Sequence, residues 1–211
     1  MKFIELLEIV KNTPVFTTGL LLAGDVNAAV IRSQISRWVR EGKVIMLRRG
    51  CYTIAPPYSG GTPSIFVLAN VMKPASYISC QSALAWYGLI PENVPSVVSV
   101  TSGRGETITN KLGYFIFRHA KPSLLWGFET MNVSPGEKAR IACPEKALLD
   151  LIYLESGGDS ESYLEQLRLQ NTDLLEREKL LSFAHRWGKP KLERATDRIL
   201  SILEREGSNT L

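Results

Sequence analysis

The chain has 211 residues, 45% apolar and 22% charged, proportions that exclude a wholly disordered or low-complexity protein. Its length accommodates one large domain, or a small one of about 50–60 residues joined to one of about 150. No run approaches the roughly 18 apolar residues of a membrane span, and Glu5 interrupts a start that a signal peptide would keep apolar, so a cytoplasmic protein with no membrane attachment is expected. Cys51, Cys80 and Cys143 are widely spaced and only His119 and His185 accompany them, which offers neither a close metal-ligand pair nor a disulfide framework; no metal or other cofactor is expected.

Charge divides by position. Residues 1–55 carry eight Lys/Arg against four Asp/Glu, whereas residues 56–211 carry seventeen of each, so the whole positive surplus is N-terminal. Between Arg32 and Arg49 there are six cations and one anion, Glu41. That density is the footprint of a nucleic-acid contact surface, and a solvated helical face would show it too.

Phe3, Leu6, Leu7 and Val10 recur at helical spacing until Lys11-Asn12-Thr13-Pro14 stops the run. Thr17 or Thr18 can cap a short second helix through Leu22, which Gly24 closes. Asn27 is a good N-cap for a third helix from Ala28 to Glu41, ended by Gly42. On a helical wheel Ala28, Ile31, Ile35, Trp38 and Val39 form its core side, opposite Ala29, Ser33, Ser36, Arg37 and Arg40, with Arg32 at the margin. Small residues there permit close approach to a groove, and guanidinium groups pair with phosphates or with the acceptor edge of guanine.

After Gly42 the period becomes two. Val44–Leu47 and Cys51–Ile54 flank Arg48-Arg49-Gly50, a hairpin with two arginines at its tip and Lys43 at its entry. Three short helices followed at once by a basic hairpin is the order of a winged helix-turn-helix, expected over residues 1–55. Asn27, Ala29, Arg32, Ser33, Ser36, Arg37, Arg40, Lys43, Arg48 and Arg49 are the expected contacts to double-stranded DNA. Modules of this shape also mediate purely protein contacts.

Residues 56–63, rich in proline, glycine and serine, read as a linker, and residues 64–211 as a second, mixed α/β domain. Helices are expected over Ser64–Met72 and Gln81–Tyr87, then strands over Ser96–Thr101, Gly113–Arg118, Glu129–Val133 and Lys138–Ile141. A helix from Pro144 carries the stripe Leu148, Leu149, Ile152 and Tyr153, and helices over Asp173–Trp187 and Pro190–Glu206 complete a C-terminal helical cap. The fold class is α+β. Glu145 favours the positive end of its helix, and Lys146 and Asp150, four apart, can pair across one face. Tyr77, Ser79 and Ser82 read as cap and core residues.

Four segments in order give the chain a resemblance to the AbiEi antitoxins, transcriptional regulators of type IV toxin-antitoxin (abortive-infection) systems. They are the N-terminal module ending in Leu47-Arg48-Arg49-Gly50-Cys51-Tyr52; Tyr77-Ile78-Ser79-Cys80-Gln81-Ser82-Ala83-Leu84 continuing to Gly88-Leu89; the strand-rich centre with Gly113-Tyr114-Phe115; and Pro144-Glu145-Lys146-Ala147-Leu148-Leu149-Asp150-Leu151. The resemblance implies a repressor of its own operon, acting at inverted repeats, whose second domain opposes a nucleotidyltransferase toxin without a stable complex. Tyr77, Ser79, Ser82, Glu145, Lys146 and Asp150 are the motif residues of that second domain. A monomer that binds DNA cooperatively is expected.

Two other classes of function have sequence requirements of their own. A DNA-directed nuclease needs clustered carboxylates and a lysine to hold an ion and activate water, and the only Glu-x-Lys triplet, Glu41-Gly42-Lys43, lies inside the basic module; Gly103-Arg104-Gly105 lacks the lysine and helix of a phosphate loop. The chain therefore reads as a non-enzyme. A ligand-responsive transcription factor remains open, with Trp86, Tyr87, Trp126 and Phe128 able either to line a pocket or to fill a core.

Overall fold

The computed structural model describes residues 1–208 apart from 12, 14, 25, 92 and 93, with side chains to residue 205. The turn expected over Lys11–Pro14 thus falls partly outside the described residues.

Three helices, α1 (Phe3–Val10), α2 (Thr18–Leu21) and α3 (Ala28–Arg40), pack on a small antiparallel sheet of β1 (Phe16–Thr17), β2 (Val44–Arg48) and β3 (Cys51–Ile54), in the order β1-β3-β2. Local chemistry sets the helix starts. The Thr17 hydroxyl accepts from the Leu20 amide at 3.3 Å, and the Asn27 side-chain oxygen accepts from the Ala29 and Val30 amides at 3.0 and 3.3 Å, which satisfies amides that a helix N-terminus leaves open. Leu6, Phe16, Ile31, Ile35, Trp38 and Val44 form the core of this unit. Ala28 and Val39, expected on the core side of α3, are half-buried, and Gln34 is half-buried on the other flank. β1 was not expected: two residues carry no period, and the strand is defined only by the pairing of Phe16 with Tyr52 and of Thr17 with Cys51.

The rest of the chain builds a six-stranded mixed sheet. In chain order its elements are α4 (Ile65–Met72), β4 (Ser76–Ile78), α5 (Cys80–Trp86), β5 (Ser96–Thr101), β6 (Glu106–Asn110), β7 (Gly113–His119), β8 (Phe128–Ser134), β9 (Glu137–Ala142) and α6 (Pro144–Leu154). The strand order is β6-β7-β5-β4-β9-β8; β5/β7 and β4/β9 are parallel and the other pairs antiparallel. Registers place Tyr77, Val98, Val100, Ile116 and Arg118 on one face and Ile78, Val97, Ser99, Phe115 and Phe117 on the other. On the first face lies α6, whose Asp150 takes a hydrogen bond from Tyr77, with α5 packed beside it. Against the second lies α4, which leads into Lys73 over the Phe117 ring at 5.7 Å.

The C-terminal segment adds α7 (Glu161–Gln166), α8 (Arg177–Trp187) and α9 (Pro190–Ser208), so the chain is a mixed α+β protein that ends in helices. The helix expected from Asp173 starts later. A 3-10 turn over Thr172–Leu174 gives way to extended backbone at Leu175 before α8 begins. Glu145 accounts for that start: its Oε1 accepts from the Glu176 amide at 3.0 Å and its Oε2 lies 3.0 Å from the Lys179 ammonium. The carboxylate lies in the first turn of its own helix, as expected, and also caps a neighbouring one.

The basic hairpin is shared between the two cores. Val15, Leu47 and Cys51 belong to the larger core, and the Asn110 side chain on edge strand β6 donates to the Leu47 carbonyl at 3.0 Å. One side of the small sheet therefore faces α3 and the other closes onto β6 and α4.

Candidate functional site

The expected DNA-contact residues all lie in the N-terminal unit. Asn27 at the N-cap of α3, Ala29, Arg32, Ser33, Ser36, Arg37 and Arg40 on α3, and Arg48 and Arg49 at the hairpin turn, are all exposed. Burying Ile31, Ile35 and Trp38 orients the helix, because those three side chains fix which arc of α3 meets solvent. Gly50, at φ +80°, closes the hairpin, and its carbonyl accepts from the Thr18 amide at 3.0 Å. The arginine-bearing turn is thereby anchored to the start of α2.

Lys43 differs from its neighbours. Its ammonium lies 2.8 Å from a Glu41 carboxylate oxygen and 5.5 Å from the centre of the Phe3 ring. This bond and the nearby cations hold Glu41 below the usual carboxylate range, and Arg37 reaches the same carboxylate at 3.6 Å. Lys43 thus neutralises the one anion in the cationic stretch and seats the hairpin on α1. Val26 and Val30 are 44% and 48% exposed beside the polar residues of α3. Sequence reasoning passed over both, although the wheel that singled out Ser33 and Arg37 places Val30 beside them.

The second expected group assembles in the interior. Tyr77, Ser79, Glu145, Lys146 and Asp150 are each 0% exposed and Ser82 is 4% exposed. Asp150 on α6 accepts hydrogen bonds from Lys146 at 2.5 Å, Tyr77 at 2.9 Å and Ser79 at 2.7 Å, and Lys146 also donates to the Tyr77 hydroxyl at 2.7 Å. Three ring faces surround the ammonium: Trp187 at 4.3 Å, Tyr77 at 5.1 Å and Trp126 at 5.2 Å. Burial pushes the Asp150 carboxyl up and the Lys146 ammonium down, each opposed by the other's charge and hydrogen bond. Ser79 precedes α5 without capping it, because its hydroxyl serves Asp150 instead. Ser82 bridges α5 to β5, donating to the Ser96 carbonyl and accepting from the Val98 amide at 2.8 Å.

Ser, Tyr, Lys and Asp are groups that acid–base chemistry employs, yet chemistry also needs a substrate within reach of them. A cavity of about 310 Å³ lies next door, lined by Cys80, Ser96, Ile116, Arg118, Leu154 and Glu155 among others, and none of these four side chains borders it. Among the described residues no cluster of three or more His, Cys, Asp or Glu could hold a metal ion. No described helix is long and apolar enough to cross a membrane.

Comparison with protein-family models and with curated proteins finds no match.

Of the four aromatic residues able to line a pocket, Trp126 packs edge-on to Phe183 and Trp187, Phe128 stacks on Tyr77 at 4.6 Å, and Trp86 meets Phe66. Tyr87 packs against the larger core, and burial raises its hydroxyl to about 12. The three thiols are buried as well. Burial raises all of them, Cys143 to about 11, a level that leaves about one thiolate in a thousand at pH 8. Native protein at pH 8 should therefore react with a thiol reagent at least a hundredfold more slowly than protein in strong urea, where all three cysteines label. Rapid labelling of any one in native protein would contradict its placement.

Proposed function

We propose that the chain is a winged helix-turn-helix DNA-binding protein that represses its own operon and counteracts a nucleotidyltransferase toxin, as the AbiEi antitoxins it resembles do. In this reading α3 enters the major groove, and the β2–β3 hairpin is the wing, with Arg48 and Arg49 against the backbone or an adjacent minor groove. One observation carries it: α3 turns Ser33, Ser36, Arg37 and Arg40 outward on the same unit that exposes Arg48 and Arg49. A groove-reading surface needs small polar groups to approach base edges and cations to hold phosphates, and both are present there.

The antitoxin half rests on the resemblance, and the interior geometry supports a specific form of it. Tyr77, Ser79, Glu145, Lys146 and Asp150 are wholly buried, so the shared motif serves the architecture of the second domain and leaves toxin antagonism to its surface. Cytoplasmic action, a monomer binding inverted repeats cooperatively, and opposition without a stable toxin complex belong to the same proposal.

A mobility-shift titration against DNA upstream of the chain's own gene, with an unrelated duplex as competitor, tests the regulator half. Selective retardation is expected, with log affinity falling by about 0.9 per phosphate contact for each unit of log salt. No selective retardation at moderate salt would remove the claim. Co-expression with the neighbouring gene then tests the antitoxin half, with rescue of growth as the expected result.

The cavity beside Cys80 favours a second reading, a winged-helix regulator that senses a small effector. It brings Arg118 and Glu155 into an otherwise largely apolar recess, the composition of a small-ligand site. A metabolite panel that shifts the melting temperature, and loses its effect in Arg118→Ala, would favour this reading over the antitoxin.

A further inference from the structure

The exposed arc of α3 is not uniformly polar. At its N-terminal end Val26 and Val30, 44% and 48% exposed, flank the Asn27 cap and the exposed Ala29. Single exposed apolar residues are ordinary on a protein surface. This group is distinguished by its setting: Ser33 and Arg37 follow Val30 by three and seven residues, so the three side chains lie within about 60° of one another around the helix. Exposed Arg40 lies on the same arc, and Arg32, Arg48 and Arg49 are exposed elsewhere on the same unit.

Charge complementarity assigns this face a polyanionic occupant, which in the reading above is duplex DNA. The N-terminal residues of a groove-bound helix are the ones that meet base edges. In the major groove the other edge groups are hydrogen-bond donors and acceptors, and the one protruding apolar group is the C5-methyl of thymine. A valine set against a polar edge would take that edge from water and return no hydrogen bond. A valine set against the methyl buries apolar surface on both partners.

We propose that Val30, at the start of α3, reads the 5-methyl group of thymine. Arg37 lies about 10 Å further along the helix axis, roughly three base-pair steps at 3.4 Å each. The half-site therefore carries thymine where α3 begins, about three pairs from the position facing Arg37. The proposal rests on the DNA-binding reading of α3.

The test uses the intact protein and duplexes it selects from a random pool of about 25 base pairs. Replacing the selected thymines one at a time with deoxyuridine removes only the methyl group. Wild-type affinity should fall about fourfold at the position facing Val30, the worth of about one buried CH₂. Val30→Ala should weaken binding to the thymine duplex by a similar factor and bind thymine and uracil duplexes alike. Its helix content and salt slope should match wild type, because an exposed alanine suits a helix. Equal wild-type binding to thymine and uracil duplexes at every position, with selectivity otherwise intact, overturns the thymine assignment and leaves the DNA-binding reading standing. A pool from which nothing is selected overturns both.

Discussion

Asp150→Ala should destabilise the fold by about 3–5 kcal/mol, the cost of removing one partner from a buried ion pair. The carboxylate is the acceptor for Lys146, Tyr77 and Ser79 at 2.5, 2.9 and 2.7 Å, and none of these three residues is exposed. Without it the Lys146 ammonium keeps the Tyr77 hydroxyl and the faces of Trp187, Trp126 and Tyr77. Ring faces offset only part of the desolvation of a cation. Urea unfolding followed by circular dichroism measures the loss, and a cost below about 1 kcal/mol would refute the view that this pair ties β4 to α6.

The pH dependence of the same variant follows from burial. In the native protein burial pushes the Lys146 ammonium below the ordinary lysine range, with Asp150 opposing the shift. Removing Asp150 lowers the folded-state value further, while the unfolded chain keeps the ordinary one. Between the two values the unfolded state binds more protons, so stability rises with pH. The deficit of Asp150→Ala should therefore shrink from pH 7 to pH 10. Lys146→Met leaves Asp150 its two hydroxyl donors and should cost less than Asp150→Ala. The double variant Lys146→Met/Asp150→Leu should be no worse than Asp150→Ala alone, because no charge is stranded, although Tyr77 and Ser79 still lack their acceptor. Additive losses would show that the two charges act independently.

Much of the fold is legible because its signals are local. The cap at Asn27, the core stripe of Ile31, Ile35 and Trp38, and the period-two run around Arg48-Arg49-Gly50 each lie within a few residues, and the structure places α3 and the hairpin accordingly. The missed strands owe their existence to partners. β4 is three buried residues between β5 and β9, and β6 is a largely exposed edge strand whose polar run Glu106–Asn110 pairs with β7. Neither shows alternation over a useful length. The delayed start of α8 has its cause 31 residues upstream, in Glu145.

The two groups of site residues divide in the same way. The Lys146–Asp150 pair is readable from its spacing of four, whereas Tyr77 and Ser79 reach Asp150 across 73 and 71 positions. Exposure of the α3 arginines follows from the wheel. The engagement of Lys43 is only half local: Glu41 is two residues away, but Phe3 comes from a helix 40 residues away.

The proposed DNA interface makes a sharper demand, because its two halves should fail differently. Arg48→Ala/Arg49→Ala should reduce affinity for every duplex by about 10- to 100-fold at moderate salt and lower the salt slope by about 2, as expected of lost phosphate contacts. Selectivity between operator and unrelated DNA should persist, since phosphates carry no sequence. Arg37→Ala and Ser33→Ala sit on the arc proposed to face the groove, so their main effect should be on discrimination, about 1–3 kcal/mol at the affected base pair. Both variants leave the core of Ile31, Ile35 and Trp38 untouched, and Arg37 gives up only a 3.6 Å exposed contact to Glu41, so folding does not confound the comparison. Titrations of each variant against operator and scrambled duplexes at three salt concentrations separate the outcomes. If the hairpin pair alters selectivity and the α3 variants alter only the salt slope, the docking is reversed, with the hairpin in the groove and α3 along the backbone.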